Sequence, residues 1–153
     1  RPVALMQRYR FDIAGAPAFH TVSALGCPFT CHFCESGIES VRRFSEAMIN
    51  HDLEVMAATH AKLGHARKSV MFFDDVGLMS PKQVVRLSRS VSHHGFVSWR
   101  AFTHAYLITR HRDALLEPFL QTGGKRLGIG QPAKGSAGNA GIVELSLKRN
   151  EII

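Results

Sequence analysis

The sequence predicts an α/β fold in which a parallel sheet, covered by helices, curls into part of a barrel. Three observations predict it. Strand-like and helix-like segments alternate at roughly 30 residues per unit, as βαβ architecture requires. Helix starts and stops are marked by capping residues and glycines. The chain has 153 residues, whereas a closed eight-unit barrel needs about 250, so the barrel is incomplete and holds about four βα units.

The elements follow in order. Residues 1–18, with Pro2, Gly15 and Pro17, read as an irregular lead-in. His20 to Ala24 is β-prone and ends at Gly26, predicting the first strand. Ser45 caps a helix running to about Leu63, with Ile49, Leu53, Met56 and Leu63 at helical spacing and Gly64 as its stop. Lys68 to Phe73 is a short apolar strand that ends at Asp74-Asp75. Ser80-Pro81-Lys82-Gln83 is a capping box with proline at the first helical position, and that helix ends at His94-Gly95. Phe96 to Phe102 is the third strand. A helix around Asp113 to Gln121 follows, which Pro118 should kink or shorten. Arg126 to Ile129 begins the fourth strand. Residues 19–130 thus form the core. Residues 131–141 are Gly- and Ala-rich and resemble a flexible linker. For residues 142–153 both a short helix and a strand stay open.

Hydrophobic residues make up 45% and charged residues 20% of the chain, an ordinary balance for a soluble globular protein. No apolar run approaches the ~20 residues of a membrane span, and no signal-peptide pattern is present. The expectation is a cytoplasmic protein. The first residue is Arg1, from which a start inside a longer or trimmed protein is expected. The net charge of +7 admits an anionic partner such as nucleic acid, but a solvated basic surface accounts for it more simply. Lys82 to Arg112 contains six Lys or Arg and no acid. Arg86, Arg89 and His93 fall opposite Val84, Leu87 and Val91, the spacing of an exposed helix face. His60 reads as a satisfied core residue and Trp99 as a core residue.

The cysteines carry the chemistry. All three lie within eight residues, in Cys27-Pro28-Phe29-Thr30-Cys31-His32-Phe33-Cys34. An odd, tight cluster argues against a disulfide framework and for a metal site. Three thiolates in one loop suit an iron–sulfur cubane and leave its fourth iron open to a reactant. Two other readings stand beside it. Zinc usually takes four ligands in paired spacings, and only the adjacent His32 is at hand. Three inert buried thiols are the other. The loop directly follows a predicted strand, and ligands bind at the carboxyl ends of strands in such folds.

With the spacing C-x-x-x-C-x-aromatic-C, and Phe33 at the aromatic position, the chain resembles the radical S-adenosylmethionine superfamily from about Arg8 through Gly130. The resemblance implies a partial barrel of the radical-SAM type. It implies a [4Fe-4S] cluster on Cys27, Cys31 and Cys34, whose open iron is chelated by the methionine amino and carboxylate groups of S-adenosylmethionine. Reductive cleavage then gives a 5′-deoxyadenosyl radical that abstracts hydrogen from a substrate. Asp74 and Asp75 stand where the family binds the cofactor's amino group, and the Phe-x-Asp-Asp pattern is similar to cobalamin-binding members. Trp99-Arg100 and Gly128-Ile129-Gly130 also resemble that subgroup; Gly128 and Gly130 of the fourth strand, and Phe33 of the cysteine motif, join the expected cofactor contacts. The lead-in resembles the segment that joins such a core to an upstream cobalamin-binding domain.

The implied activity is methyl transfer or oxidative ring formation. A transfer-RNA methylthiotransferase, and a truncated cluster-binding module without turnover, are the alternatives. The implied partners are a small-molecule substrate and an electron donor such as a flavodoxin or ferredoxin. No catalytic residue is named by the resemblance. Two departures stand out: Leu25-Gly26 replaces the usual Arg-Gly before the first cysteine, and Gln131-Pro132 follows Gly130 where Glu-Ser is usual.

Overall fold

A computed structural model describes residue 8 and residues 11–29, 40–131 and 141–147, with backbone alone for Gln131 and residues 141–143. Cys31, Phe33 and Cys34 lie outside the described residues. So do residues 1–7, 9 and 10 of the lead-in, residues 132–140 and the chain beyond Leu147.

Four parallel strands form the centre of a curled, six-stranded half-barrel: β2 (Ala16–Thr21), β5 (Ser69–Phe72), β6 (Ser98–His104) and β7 (Gly124–Gln131). Antiparallel edges flank them, β1 (Asp12–Ile13) on β2 and β8 (Gly141–Ser146) on β7. A separate two-stranded ladder joins β3 (Ala24–Leu25) to β4 (Arg42–Arg43). Among the described residues, three helices connect the parallel strands: α1 (Glu46–Lys62), α2 (Pro81–His93) and α3 (Ala105–Gln121).

The expected strand–helix rhythm is therefore present, with local differences. The first parallel strand starts at Ala16, inside the stretch expected to be irregular, because the turn at Ala14-Gly15 folds β1 back onto it. The last helix starts at Ala105, not near Asp113. Its break is a non-helical His111, whereas Pro118 sits inside the helix. Of the last stretch, Gly141–Ser146 is a strand, paired antiparallel with β7 up to Gln131↔Gly141. The Gly/Ala-rich stretch thus joins two paired strands.

Ser45 and Ser80 cap α1 and α2 as their sequence positions predict, accepting from Met48 N at 3.2 Å and Gln83 N at 3.3 Å. At the end of α3 the chain turns through Gly123, at φ +84°, where a Cβ would collide with the Val97 carbonyl.

Alternation along the strands sorts the side chains. Phe19, Val70, Phe72, Trp99, Ala101, Leu127 and Ile129 face the helices and form the main core with Leu53, Val84, Leu87 and Phe119. Trp99 is fully buried, as expected, with its ring 4.5 Å from that of Phe119 and 5.8 Å from that of Phe72. The opposite, concave face carries Ala18, His20, Met71, Phe102 and Arg100. There Arg100 pairs with Glu144 of β8 at 3.1 Å.

His60 is fully buried on α1, stacked on Phe19, with Nδ1 2.9 Å from Nδ1 of His65. Its Nε2 makes no hydrogen bond of good geometry, and the Ser69 backbone only partly offsets the effect of burial on the ring, so it is a half-satisfied core residue. Burial, then the neighbouring His65 and Lys68 charges, lower its pKa to about 4 from 6.5. The unfolded chain thus binds the extra proton first. Stability should be complete above pH 6.5 and fall as the pH drops toward 4, by about 2 kcal/mol between pH 7 and pH 5. Urea unfolding of the wild type and of His60→Leu across that range checks this. The variant should lose most of the slope, and an equal slope would count against the assignment.

Candidate functional site

The carboxyl rim of the parallel strands gathers the described site residues. Thr21 ends β2, and the chain then runs through Ser23, β3 and Gly26 into Cys27. Phe72 ends β5, and Asp74 and Asp75 follow it. Phe73 N donates to Thr21 O at 2.8 Å, holding the two strand exits side by side.

The two acids take different parts. Asp74 is 4% exposed. Its Oδ1 accepts from Ser23 N at 2.6 Å, and its Oδ2 accepts from the Ser23 hydroxyl. Burial pushes the Asp74 carboxyl up, partly offset by these Ser23 bonds. Asp74 is therefore a buried latch on the segment that leads into the cysteine loop. Asp75 is exposed, and its Oδ2 accepts from Gly26 N at 3.1 Å. Gly26 takes φ +86°, a conformation that glycine supplies without strain, and turns the chain into Cys27.

Cys27 is 8% exposed and belongs to the helix-side core, with Phe29 packed against the same core. The Phe29 ring stacks on His104 at the end of β6, 4.1 Å between centroids and 14° between planes. Phe29 therefore ties the start of the loop to the end of β6. The loop's far side returns through β4, where Ala24↔Arg43 and Leu25↔Arg42 pair and Phe44 N donates to Ser23 O at 3.0 Å. Two strands and two carboxylates thus clamp the base of the loop.

His104 Nδ1 accepts from Tyr106 N at 3.2 Å and caps α3, which puts the ring proton of the neutral form on Nε2. Burial lowers its pKa. His104 and Phe29 are rim residues that sequence reasoning missed. The third strand was expected to end at Phe102, two residues short of the strand end that makes His104 conspicuous.

Gly128 and Gly130 share the concave face with their β6 neighbours Phe102 and His104. A Cβ on Gly130 would meet Thr103 O at 3.8 Å and His104 Cδ2 at 3.9 Å, which is ordinary contact. Among the described residues, no neighbouring group requires glycine at position 130. Beside the end of β2 an open cavity of about 410 Å³ is lined by His20, Thr21, Val22, Asp52 and Phe73, with Thr21 donating to Asp52 at 2.7 Å. Phe73 is 62% exposed on this wall.

Among the described residues, no three His, Cys, Asp or Glu side chains gather as a metal site. Two of the three cysteines fall outside those residues. No described helix is long and apolar enough to cross a membrane.

No protein-family model matches the chain. It is 28% identical over 97 residues to an uncharacterized methyltransferase of Pyrococcus horikoshii, covering 63% of this chain and 20% of that protein. The fold is similar to that of the apo form of OxsB, a cobalamin-dependent S-adenosylmethionine radical enzyme. The TM-score is 0.61 at 13% identity, over 78% of this chain and 19% of that one. The chain spans about one-fifth of the length of each.

Proposed function

We propose that this chain is the core of an S-adenosylmethionine-dependent radical enzyme whose reaction is methyl transfer or oxidative ring formation. The observation that carries the reading is the rim geometry. Cys27 emerges at the carboxyl end of the first parallel strand, one residue beyond a glycine whose N–H bonds Asp75. The methyltransferase relative and the half-barrel shared with OxsB support it.

The residues fit such a cofactor. Thiolates are the donors an iron–sulfur cluster requires, and Cys27, Cys31 and Cys34 would hold it. When bound, the cluster supplies the electron that cleaves S-adenosylmethionine. The chain's own part is to bind and to orient. Asp75, exposed beside the cysteine loop, offers a carboxylate to the cofactor's ammonium group. Asp74 is already occupied by Ser23 and serves the site by fixing the loop. Gly128 and Gly130 leave room on the concave face, and Phe33 is proposed as a further contact. Cobalamin bound by an upstream domain, a small-molecule substrate and a flavodoxin- or ferredoxin-like electron donor complete the proposal.

Anaerobic reconstitution with iron and sulfide, followed by calorimetric titration with S-adenosylmethionine, tests it. A brown protein with measurable binding is expected. Asp75→Ala should weaken that binding about 10-fold, the worth of one charge-assisted hydrogen bond. A protein that takes zinc and stays colourless would overturn the proposal.

A further inference from the structure

Another cavity lies between β4 and the start of α2. It has a volume of about 300 Å³ and is lined by Arg43, Ser80, Lys82, Gln83 and Arg86. Three of these five side chains are cationic. Among the described residues no acid lines it, and the one ion pair joins Arg100 to Glu144, far from these three in the sequence.

The buried polar groups on its wall are the informative ones. Gln83 is 4% exposed. Its Oε1 accepts from Arg43 Nε at 3.3 Å, which orients the amide and leaves its Nε2 donors without a partner. Arg86 is half-buried, and its Nε and Nη2 are shielded from water with no acceptor. A guanidinium and an amide withdrawn from water without acceptors are costly, and an acceptor returns that cost. Lys82 and Arg86 are also a like-charge pair four residues apart on one helix, an arrangement that is mildly unfavourable until an anion sits between them.

The helix start itself contributes little. Pro81 has no N–H, and the N–H groups of Gln83 and Val84 are spent on Ser80 at 3.0 and 3.1 Å. The donors are side chains. Sequence reasoning assigned Arg86 to a solvated face with Arg89 and His93. Those two are exposed, but Arg86 turns to the cavity wall.

We propose that this cavity is a phosphoryl-binding site and that its ligand is a small phosphorylated molecule. The volume is at the low end for ligand pockets and suits a compact group. Arginine forks match phosphoryl oxygens, and Lys82 adds a point charge. A nucleic-acid strand would instead call for a groove with stacking aromatics along it, and among the described residues no aromatic side chain lines this cavity. Arg43 belongs to the ladder that closes the cysteine loop, so the bound phosphoryl group bridges that ladder to α2 beside the proposed active site.

The test needs neither the cluster nor S-adenosylmethionine, so its outcome is independent of the proposed activity. The full chain is titrated calorimetrically with inorganic phosphate, with ribose 5-phosphate and with a short single-stranded RNA, and its thermal unfolding is followed with each. Saturable one-to-one binding of both phosphates and a raised melting temperature are expected. Arg86→Met should weaken phosphate binding ~10-fold or more, and Gln83→Leu several-fold. Lys82→Met, at an exposed position that folding does not depend on, should weaken it several-fold as well. Arg110→Gln, on α3, should leave it unchanged. Absence of phosphate binding, or binding unaffected in Arg86→Met and Lys82→Met, overturns the proposal. RNA binding that phosphate does not displace, in the absence of phosphate binding, overturns it in favour of a nucleic-acid surface.

Discussion

Replacing Cys27, Cys31 or Cys34 singly by Ala is expected to take reconstituted iron from about four per chain, the content of one cubane, to nearly none. The loop offers three thiolates and no fourth cysteine. A cubane that already has one open iron has no spare protein ligand to lose. The loss should therefore be close to complete for each variant, not graded. Cys27 differs from the others in one checkable respect. It is 8% exposed and packed in the helix-side core, so Cys27→Ala also removes buried sulfur, at about 1 kcal/mol. Iron and sulfide analysis, the visible absorption of the reconstituted protein and a melting curve of the apo form separate the two effects. Wild-type iron content in any one variant would remove that cysteine from the ligand set.

The parallel core was legible because its signals are local. Ser45 and Ser80 lie at the sequence distance where a cap must lie, and both cap as expected. Ser69–Phe72 is a continuous buried run, which a strand covered on both faces should be. What stayed hidden depends on partners remote in sequence. The edge strands β1 and β8 are short or weakly patterned and gain their hydrogen bonds from β2 and β7. The start of α3 carries none of the usual capping residues, since His104 does that work. The same limit applies at the site. Asp74 and Asp75 are identical neighbours in the sequence, yet one is buried on Ser23 and the other exposed beside Gly26. Only the fold, by fixing which side of the strand exit each occupies, distinguishes latch from candidate ligand. Arg86 and Arg89 repeat the lesson: both are basic residues of one helix, but the approach of β4 turns one of them into a cavity wall.

Asp74→Ala is expected to destabilise the apo protein by about 3 kcal/mol, and Asp74→Asn by much less. The Ala variant strips the acceptors from Ser23 N and the Ser23 hydroxyl in a buried place, where unmet donors carry their full desolvation cost. An Asn keeps an acceptor for Ser23 N, and its amide donates to the hydroxyl oxygen. It also removes a carboxylate that burial disfavours in its charged form. This last point fixes a pH signature. The Asp74 pKa is raised in the folded protein, so the folded state binds this proton more readily than the unfolded state. Its contribution is then fully present below the ordinary pKa of 3.8 and is lost as pH rises through the raised value. Relative to Asp74→Asn, the wild type should therefore gain stability on acidification. The titration of His60 is common to both proteins and cancels in that difference. Ser23 also holds Phe44 N through its carbonyl, so unlatching it loosens both sides of the cysteine loop's base. The Ala variant should lose its iron faster than wild type on exposure to a chelator, and the Asn variant should hold it. Equal stability of all three proteins, or equal iron loss from Asp74→Ala and wild type, would show that the Ser23–Asp74 contact does not govern the loop.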